Sequence, residues 1–193
     1  MELLLTAAAH GGLAPSSWVV RWAARLPAGS RVLDVACGSG RHLRWLAARG
    51  LALTGVDRDA QAVAPLQSLG RVVVADIENG PWPFAGERFD AVVVTNYLWR
   101  PLMPTLVASL ADGGALVYET FARGHEAFGK PSNPAFLLRH GELLEHCAGL
   151  RIAAYEDGLL ENPPRRVQRI AAFATGAVPA PLECAADSPG LAP

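Results

Sequence analysis

Lysine is all but missing from this chain. Lys130 stands alone against sixteen arginines in 193 residues. With the heavy use of alanine, that points to GC-rich coding rather than to a functional demand. Charge of one sign is missing as well. A formal net charge of −1 gives no general attraction to nucleic acid and leaves only a local basic patch as a route to such a partner. No apolar run approaches the roughly 20 residues of a membrane span, and the opening MELLLTAAAH lacks the basic n-region of a signal peptide. Cys37, Cys147 and Cys184 show no paired spacing, which argues against a disulfide framework and fits a reduced, cytoplasmic setting. His10, His42, His140 and His146 are scattered without metal-ligand spacing. No Gly-x-Ser-x-Gly elbow occurs, because Gly38-Ser39-Gly40 has the wrong frame. Metal-centred and serine-hydrolase chemistry therefore have no support.

What is present is a string of βα units. The length predicts one domain over residues 1–176, followed by a Pro/Ala-rich, disordered tail over 177–193. Pro15-Ser16-Ser17 opens a helix that stops at Pro27. Strands are expected at Arg31–Ala36, Ala52–Val56, Arg71–Ala75, Phe89–Thr95 and Ala115–Phe121, with helices between them. Asp59 is placed as a helix cap, Pro65 as the cause of a kink or two short turns, and Gly50 as a C-terminal cap. Nearly continuous apolar runs such as AVVVT belong to parallel strands covered on both faces. Helices follow at Leu102–Leu110 and Glu142–Ala148. Leu150–Tyr155 and Val167–Thr175 have no helix between them, so they read as an antiparallel hairpin on the sheet edge, joined at Pro163-Pro164. The fold class is α/β, a doubly wound, mostly parallel seven-stranded sheet with an antiparallel C-terminal hairpin strand.

The chemistry concentrates in RVLDVACGSGRH, Arg31–His42. Apolar β-formers run into a turn of small residues, and a helical pattern then opens at Leu43, so the loop presents backbone to a ligand. A dinucleotide fingerprint needs Gly-x-Gly-x-x-Gly, and Leu43 occupies the third glycine position. Asp34 beside the loop would repel a pyrophosphate and welcome a cationic amino acid. These residues favour S-adenosylmethionine over NAD. Cys37, in the same loop, is read as a small residue in a tight turn rather than as a nucleophile.

The chain resembles the class I S-adenosylmethionine-dependent methyltransferases over about Trp18–Thr175. Within them, LDVACGSGRHLRWLAARG, GVDRD and ETFARGHEAFGKPSNPAFLLRHGELLE are similar to the small tellurite-resistance-type enzymes. Ala36 departs from the pattern, standing where many members have the first glycine. The resemblance implies an enzyme with S-adenosyl-L-methionine as cofactor and S-adenosyl-L-homocysteine as product. Cofactor contacts are expected from Asp34, Ala36, Gly38, Ser39, Gly40, Asp57, Arg58, Asp76, Ile77 and Asn96. Asp34 orients the loop or meets the α-ammonium, and the N–H groups of Gly38 and Gly40 face the methionine moiety. Asp57 closes the second strand where a carboxylate accepts from both ribose hydroxyls. Asp76 is assigned to the adenine amino group and Ile77 to the adenine face, against the plainer reading of Asp76 as a turn former.

Acceptors dock at the C-terminal end of the fourth strand, TNYLWR, in this fold. Asn96, Arg100, Phe121 and Arg123 are candidate substrate contacts, and Tyr97, Glu119 and His125 candidate catalytic groups. Tyr97 offers an aromatic face to a sulfonium; Trp99 reads as packing. Arg100 either binds an anionic substrate or is solvated, and His125 is either a general base or a solvated loop histidine. Glu119 is expected to orient Tyr97 or Arg100, to take a proton from the acceptor, or to form a salt bridge with a loop arginine. Ala122–Leu138 reads as a lid. The function inferred is methyl transfer to a small-molecule acceptor, with an anionic one suggested by the arginines. The alternatives are a nucleic-acid or protein methyltransferase, a non-catalytic cofactor-binding module and, least favoured, an NAD-dependent oxidoreductase.

Overall fold

The computed structural model describes residues 14–176; the opening decapeptide and the tail expected from Ala177 lie outside them. The elements are α1 Ser17–Ala23, β1 Arg31–Val35, α2 Arg41–Ala47, β2 Ala52–Asp57, α3 Ala60–Val63, β3 Arg71–Val74, β4 Phe89–Thr95, α4 Met103–Ala108, β5 Leu110–Phe121, α5 Glu142–His146, β6 Arg151–Glu161 and β7 Pro164–Phe173. They build one sheet of order β3-β2-β1-β4-β5-β7-β6. β1 to β5 pair in parallel, and β7 runs antiparallel to both β5 and β6. The chain therefore reverses strand order beside β1, and the crevice between β1 and β4 at their carboxyl ends is where such sheets bind ligands.

Local chemistry explains most boundaries. The Ser16 hydroxyl accepts from the Trp18 N–H and starts α1. Asp59 accepts from Gln61 and Ala62 N–H and starts α3. Pro65 then forces a short 3-10 turn over Ala64–Leu66, the expected pair of short turns. Gly50, in the left-handed region at φ +70°, lies beyond the Ala48 cap of α2.

Three expectations are corrected. The helix expected over Leu102–Leu110 shortens to α4, because Leu110 pairs with Phe89 and already belongs to β5. β5 absorbs Asp112-Gly113-Gly114 through a register shift, and a Cβ on Gly114 would stand 2.8 Å from the Phe89 carbonyl. β6 and β7 are longer than expected. Pairing carries them through Asp157-Gly158 and Arg165-Arg166 to a turn at Asn162-Pro163.

Each face of the sheet has its own core. Trp18, Val19, Leu43, Leu46, Leu66, Val93 and Val117 pack on the side of α1, α2 and α3. Leu33, Val92, Val94, Met103, Leu116, Tyr118 and Leu143 pack on the side of α4 and α5. Fully burying each large apolar side chain contributes about 1.5–3 kcal/mol. Both layers cover β1 and β4, which holds the carboxyl edge rigid under the loops that follow.

Candidate cofactor and acceptor site

After β1 the backbone turns through the left-handed region at Ala36 (φ 53°), Gly38 (φ 51°) and Gly40 (φ 76°). Ala36 bears a Cβ in that region, a cost of about 1–2 kcal/mol of the kind that clusters at functional sites. A Cβ on Gly40 would stand 2.5 Å from the Leu66 side chain, whereas one on Gly38 would meet nothing within 4 Å. Gly40 is thus demanded by packing, and Gly38 leaves open space over the loop. The two N–H groups expected to face a ligand are both engaged internally. Gly38 N donates to Asp57 Oδ2 at 2.7 Å and Gly40 N to the Cys37 carbonyl at 2.9 Å. The loop therefore offers close approach rather than these two donors. Cys37 is buried against Gly55, and burial pushes its thiol up, so it is a packed thiol and no nucleophile.

Asp57 latches the loop through Oδ2, while its Oδ1 accepts from Asp59 N at 3.0 Å. Four lone-pair sites on a carboxylate leave capacity for hydroxyl donors beyond this latch. Asp76 forms its own turn, accepting from Glu78 N, Asn79 N and Asn79 Nδ2. Those bonds hold its carboxyl below the usual range. The turn-forming role is therefore present at Asp76, and the remaining lone pairs are what it can offer an adenine. Arg58 is exposed, and its charge acts on both Asp76 and Tyr97. Ile77 packs half-buried at the rim of the core. Burial, with the Glu78 and Asp76 carboxylates, pushes the Tyr97 phenol up and keeps it protonated. Asn96, with φ 55°, donates its N–H to the Glu119 carbonyl and is exposed, as is Ser39.

Asp34 is 1% exposed and its Oδ2 is buried with no hydrogen-bond partner. Burial lifts its carboxyl to about 8; Arg41 pulls it down and Asp57 pushes it up. It is therefore neutral at pH 7. His42 lies 3.9 Å away, its Nε2 accepting from Ser16 N, and burial and then Arg41 hold it near 3, also neutral. A buried, orphaned carboxyl beneath a glycine loop fits a ligand with a cationic amino-acid end.

Glu119 departs from expectation. It is 1% exposed and faces the α1 layer, whereas Tyr97 packs into the opposite core. It touches neither Tyr97 nor Arg100. It accepts from Ser16 Oγ at 3.1 Å and pairs with Arg165 (3.6 Å) and Arg169 (3.4 Å), both on β7 rather than on a loop. Strand alternation explains this, since Glu119 opposes Arg169 in the β5–β7 register and Arg165 lies on the same face.

Arg100 is corrected too. It neither faces solvent freely nor awaits a substrate. Its guanidinium is bidentate to the Glu142 carboxylate and also donates to the Ala135 and Leu137 carbonyls. It ties the loop after β5 to α5. Trp99 packs at the core, as read. His125 is 4% exposed rather than solvated. It stacks on Phe121 at 4.3 Å and bonds the Lys130 carbonyl through Nε2, which leaves Nδ1 buried without a partner. Arg123 is exposed on the same loop. Sequence reading did not single out Ser16, Arg41, Thr95, Arg165 or Arg169. The adjacency of Arg41 to Gly40 and the period-2 placement of the β7 arginines were the signals available.

Comparisons with known proteins agree with this geometry. A methyltransferase-domain family matches residues 32–114. TehB from Haemophilus influenzae superimposes with a TM-score of 0.65 at 21% identity, over 81% of this chain and 61% of that one. A TehB-like SAM-dependent methyltransferase from Corynebacterium glutamicum gives 0.59 at 20% identity, over 79% and 84%. The N-methyltransferase NodS from Bradyrhizobium japonicum gives 0.61 at 18% identity, over 77% and 87%. At these identities the likeness is one of fold. A ribosomal RNA small subunit methyltransferase C from Chromohalobacter salexigens is 58% identical over 38 residues, 20% of this chain and 11% of that protein. The chain thus spans only a small part of that curated relative. The family match begins inside the first strand and runs through the glycine loop, and the solved neighbours share the sheet around it, so residues 32–114 match a methyltransferase domain and the chain has the fold of S-adenosylmethionine-dependent methyltransferases.

Proposed function

We propose that this protein transfers a methyl group from S-adenosylmethionine to a small-molecule acceptor. The observation that carries the proposal is the pairing of a latched loop, open above Gly38, with the orphaned Asp34 oxygen at the end of β1. Asp34 would meet the α-ammonium, Asp57 the ribose hydroxyls, and Asp76 with Ile77 the adenine. The cofactor supplies a methyl group on a sulfonium; its C–S bond breaks with the electron pair going to sulfur as the acceptor's lone pair bonds the carbon.

The thioether that leaves needs no proton, so the protein's task is alignment and exclusion of water. Arg100 and Glu142 tie Ala122–Leu138 down as a cover beside the carboxyl edge. A base is needed only for an acceptor that starts protonated. Glu119 is occupied by Ser16 and two arginines, which leaves the unpartnered Nδ1 of His125 for that role. The small-acceptor reading rests on this cover and on the near-neutral charge, which gives no broad surface for nucleic acid. Titration calorimetry tests the cofactor assignment: saturable binding of S-adenosylmethionine and S-adenosylhomocysteine is expected, and NAD binding without them would overturn it. Transfer of labelled methyl to a small-molecule panel, with none to RNA or protein, tests the acceptor class.

A further inference from the structure

His42 sits where the glycine loop becomes α2, 2% exposed, between two groups that it serves unequally. Its Nε2 accepts from the Ser16 backbone N–H at 3.2 Å, so the neutral ring carries its proton on Nδ1. That Nδ1–H faces Asp34 Oδ2 at 3.9 Å, too far for a hydrogen bond. Asp34 Oδ2 is buried, and no described residue donates to it. The flanking strands offer no side-chain donor either, since β2 and β4 place Gly55 and Val93 opposite Asp34 in register. A donor and an acceptor on two buried side chains thus stand about 1 Å short of bonding distance.

The surroundings say what closes the gap. Asp34 is faced by the Arg41 guanidinium from α2, the Asp57 carboxylate from β2 and the Cys37 thiol from the loop. Burial outweighs Arg41 and keeps the carboxyl protonated at pH 7. A neutral carboxyl has little pull on an N–H. A carboxylate has much more, because charge-assisted hydrogen bonds are shorter and roughly twice as strong. A cation arriving at Asp34 drives that ionisation. His42 does not take up the proton released, since Nδ1 already holds one and Nε2 is committed to Ser16. The proton goes to water. Donation from Nδ1 to a carboxylate then makes Nε2 a stronger acceptor, which tightens the bond from Ser16 N. Ser16 is the cap that starts α1, its hydroxyl accepting from Trp18 N.

We propose that His42 is a positioning residue that clamps the Asp34 carboxylate when the cofactor's α-ammonium settles on it, and that tightens the start of α1 through Ser16 in the same act. This rests on the S-adenosylmethionine reading above. Cofactor occupancy is thereby transmitted to α1.

Calorimetry on the full chain at pH 7, in buffers of different ionisation enthalpy, counts the protons released as S-adenosylhomocysteine binds. About one proton per site is expected. Methylthioadenosine, which lacks the amino-acid end, should bind without that release. Two substitutions divide the contacts of His42. His42→Asn keeps a donor in the place of Nδ1 and gives up the reach to Ser16. His42→Gln keeps an acceptor for Ser16 and gives up the donor to Asp34. His42→Gln should weaken S-adenosylhomocysteine at least about tenfold and leave methylthioadenosine unchanged. His42→Asn should stay within about threefold of wild type but lose the slowing of hydrogen exchange at residues 16–20 that the ligand produces in wild type. Nitrogen NMR of the wild-type ring needs no variant: a new, strongly downfield Nδ1–H signal should appear with S-adenosylhomocysteine. Absence of proton release, absence of that signal, or equal losses of affinity in both variants overturns the proposal. If wild type binds no S-adenosylhomocysteine at all, the cofactor reading itself fails and this proposal with it; that titration is read first.

Discussion

The two ends of the carboxyl edge are built in opposite ways. At the β1–β2–β3 end each functional contact is local. Asp57 reaches back 19 residues to Gly38, and Asp76 closes a turn on its own neighbours. At the β5–β7 end the contacts join distant parts of the chain. Ser16 meets Glu119 across 103 residues, Arg169 meets it across 50, and Arg41 meets Thr95 across 54. The first end is polar and exposed; the second is buried and carries a surplus of cations. A site assembled from local turns tolerates change around it, whereas one assembled from remote partners depends on the whole fold.

Substitutions can break that contrast in order of size. Trp18→Ala should cost the most, about 3–5 kcal/mol of stability. The indole is 1% exposed, donates to the Ile170 carbonyl and lies under the Arg169 guanidinium. Urea unfolding measures it, and a loss well under that range would show that α1 is only loosely part of the second end. Asp57→Ala comes next. It should weaken S-adenosylhomocysteine binding by about 1–3 kcal/mol through the lost latch and lost acceptor, while the melting transition stays cooperative. Glu119→Gln should leave cofactor affinity nearly unchanged and lower turnover at least about tenfold, roughly 1.4 kcal/mol, by releasing the arginines it gathers. Equal losses of cofactor affinity at Asp57 and Glu119 would abolish the distinction between the ends.

The pH responses of the two ends should be opposite in sign. Burial pulls the Glu142 carboxyl up, but the Arg100 bond, the Arg139 N–H and both guanidinium charges outweigh it and hold it at about 2, below its ordinary 4.5. The stability it lends is complete above pH 4.5 and drains as pH falls toward 2. Hydrogen exchange over residues 123–138 should rise across that window, and a flat profile would remove the tether. Asp34 behaves inversely. Its folded value of about 8 exceeds the ordinary 3.8, so its contribution is complete below pH 3.8 and drains as pH rises through 8. The melting temperature of Asp34→Asn should gain on wild type over that range, least where a bound cation supplies the missing partner.

The local end was readable from sequence because its information is contiguous. The loop frame, the Asp59 cap and the break at Pro65 each depend on neighbours within a few positions. The other end was readable only in part. Alternation along β5 placed Glu119 at the carboxyl edge, but not which layer it faced or that β7 would present Arg169 opposite it. Asp157-Gly158 and Arg165-Arg166 fall outside the strands expected from sequence, and cross-strand pairing overrides their weak strand preference. Arg100 was misjudged because its partner, Glu142, stands 42 residues later.

The docking of α1 also sets an order of events. It is the first helix among the described residues, yet Trp18 and Trp22 rest on Ile170 and Phe173 of the last strand. During synthesis its apolar face can settle on β1, β4 and β5, but its cover is complete only when β7 has left the ribosome and paired with β5. Until then Trp18 and Trp22 lack part of their packing, and the β6–β7 hairpin closes both the sheet and the window for aggregation.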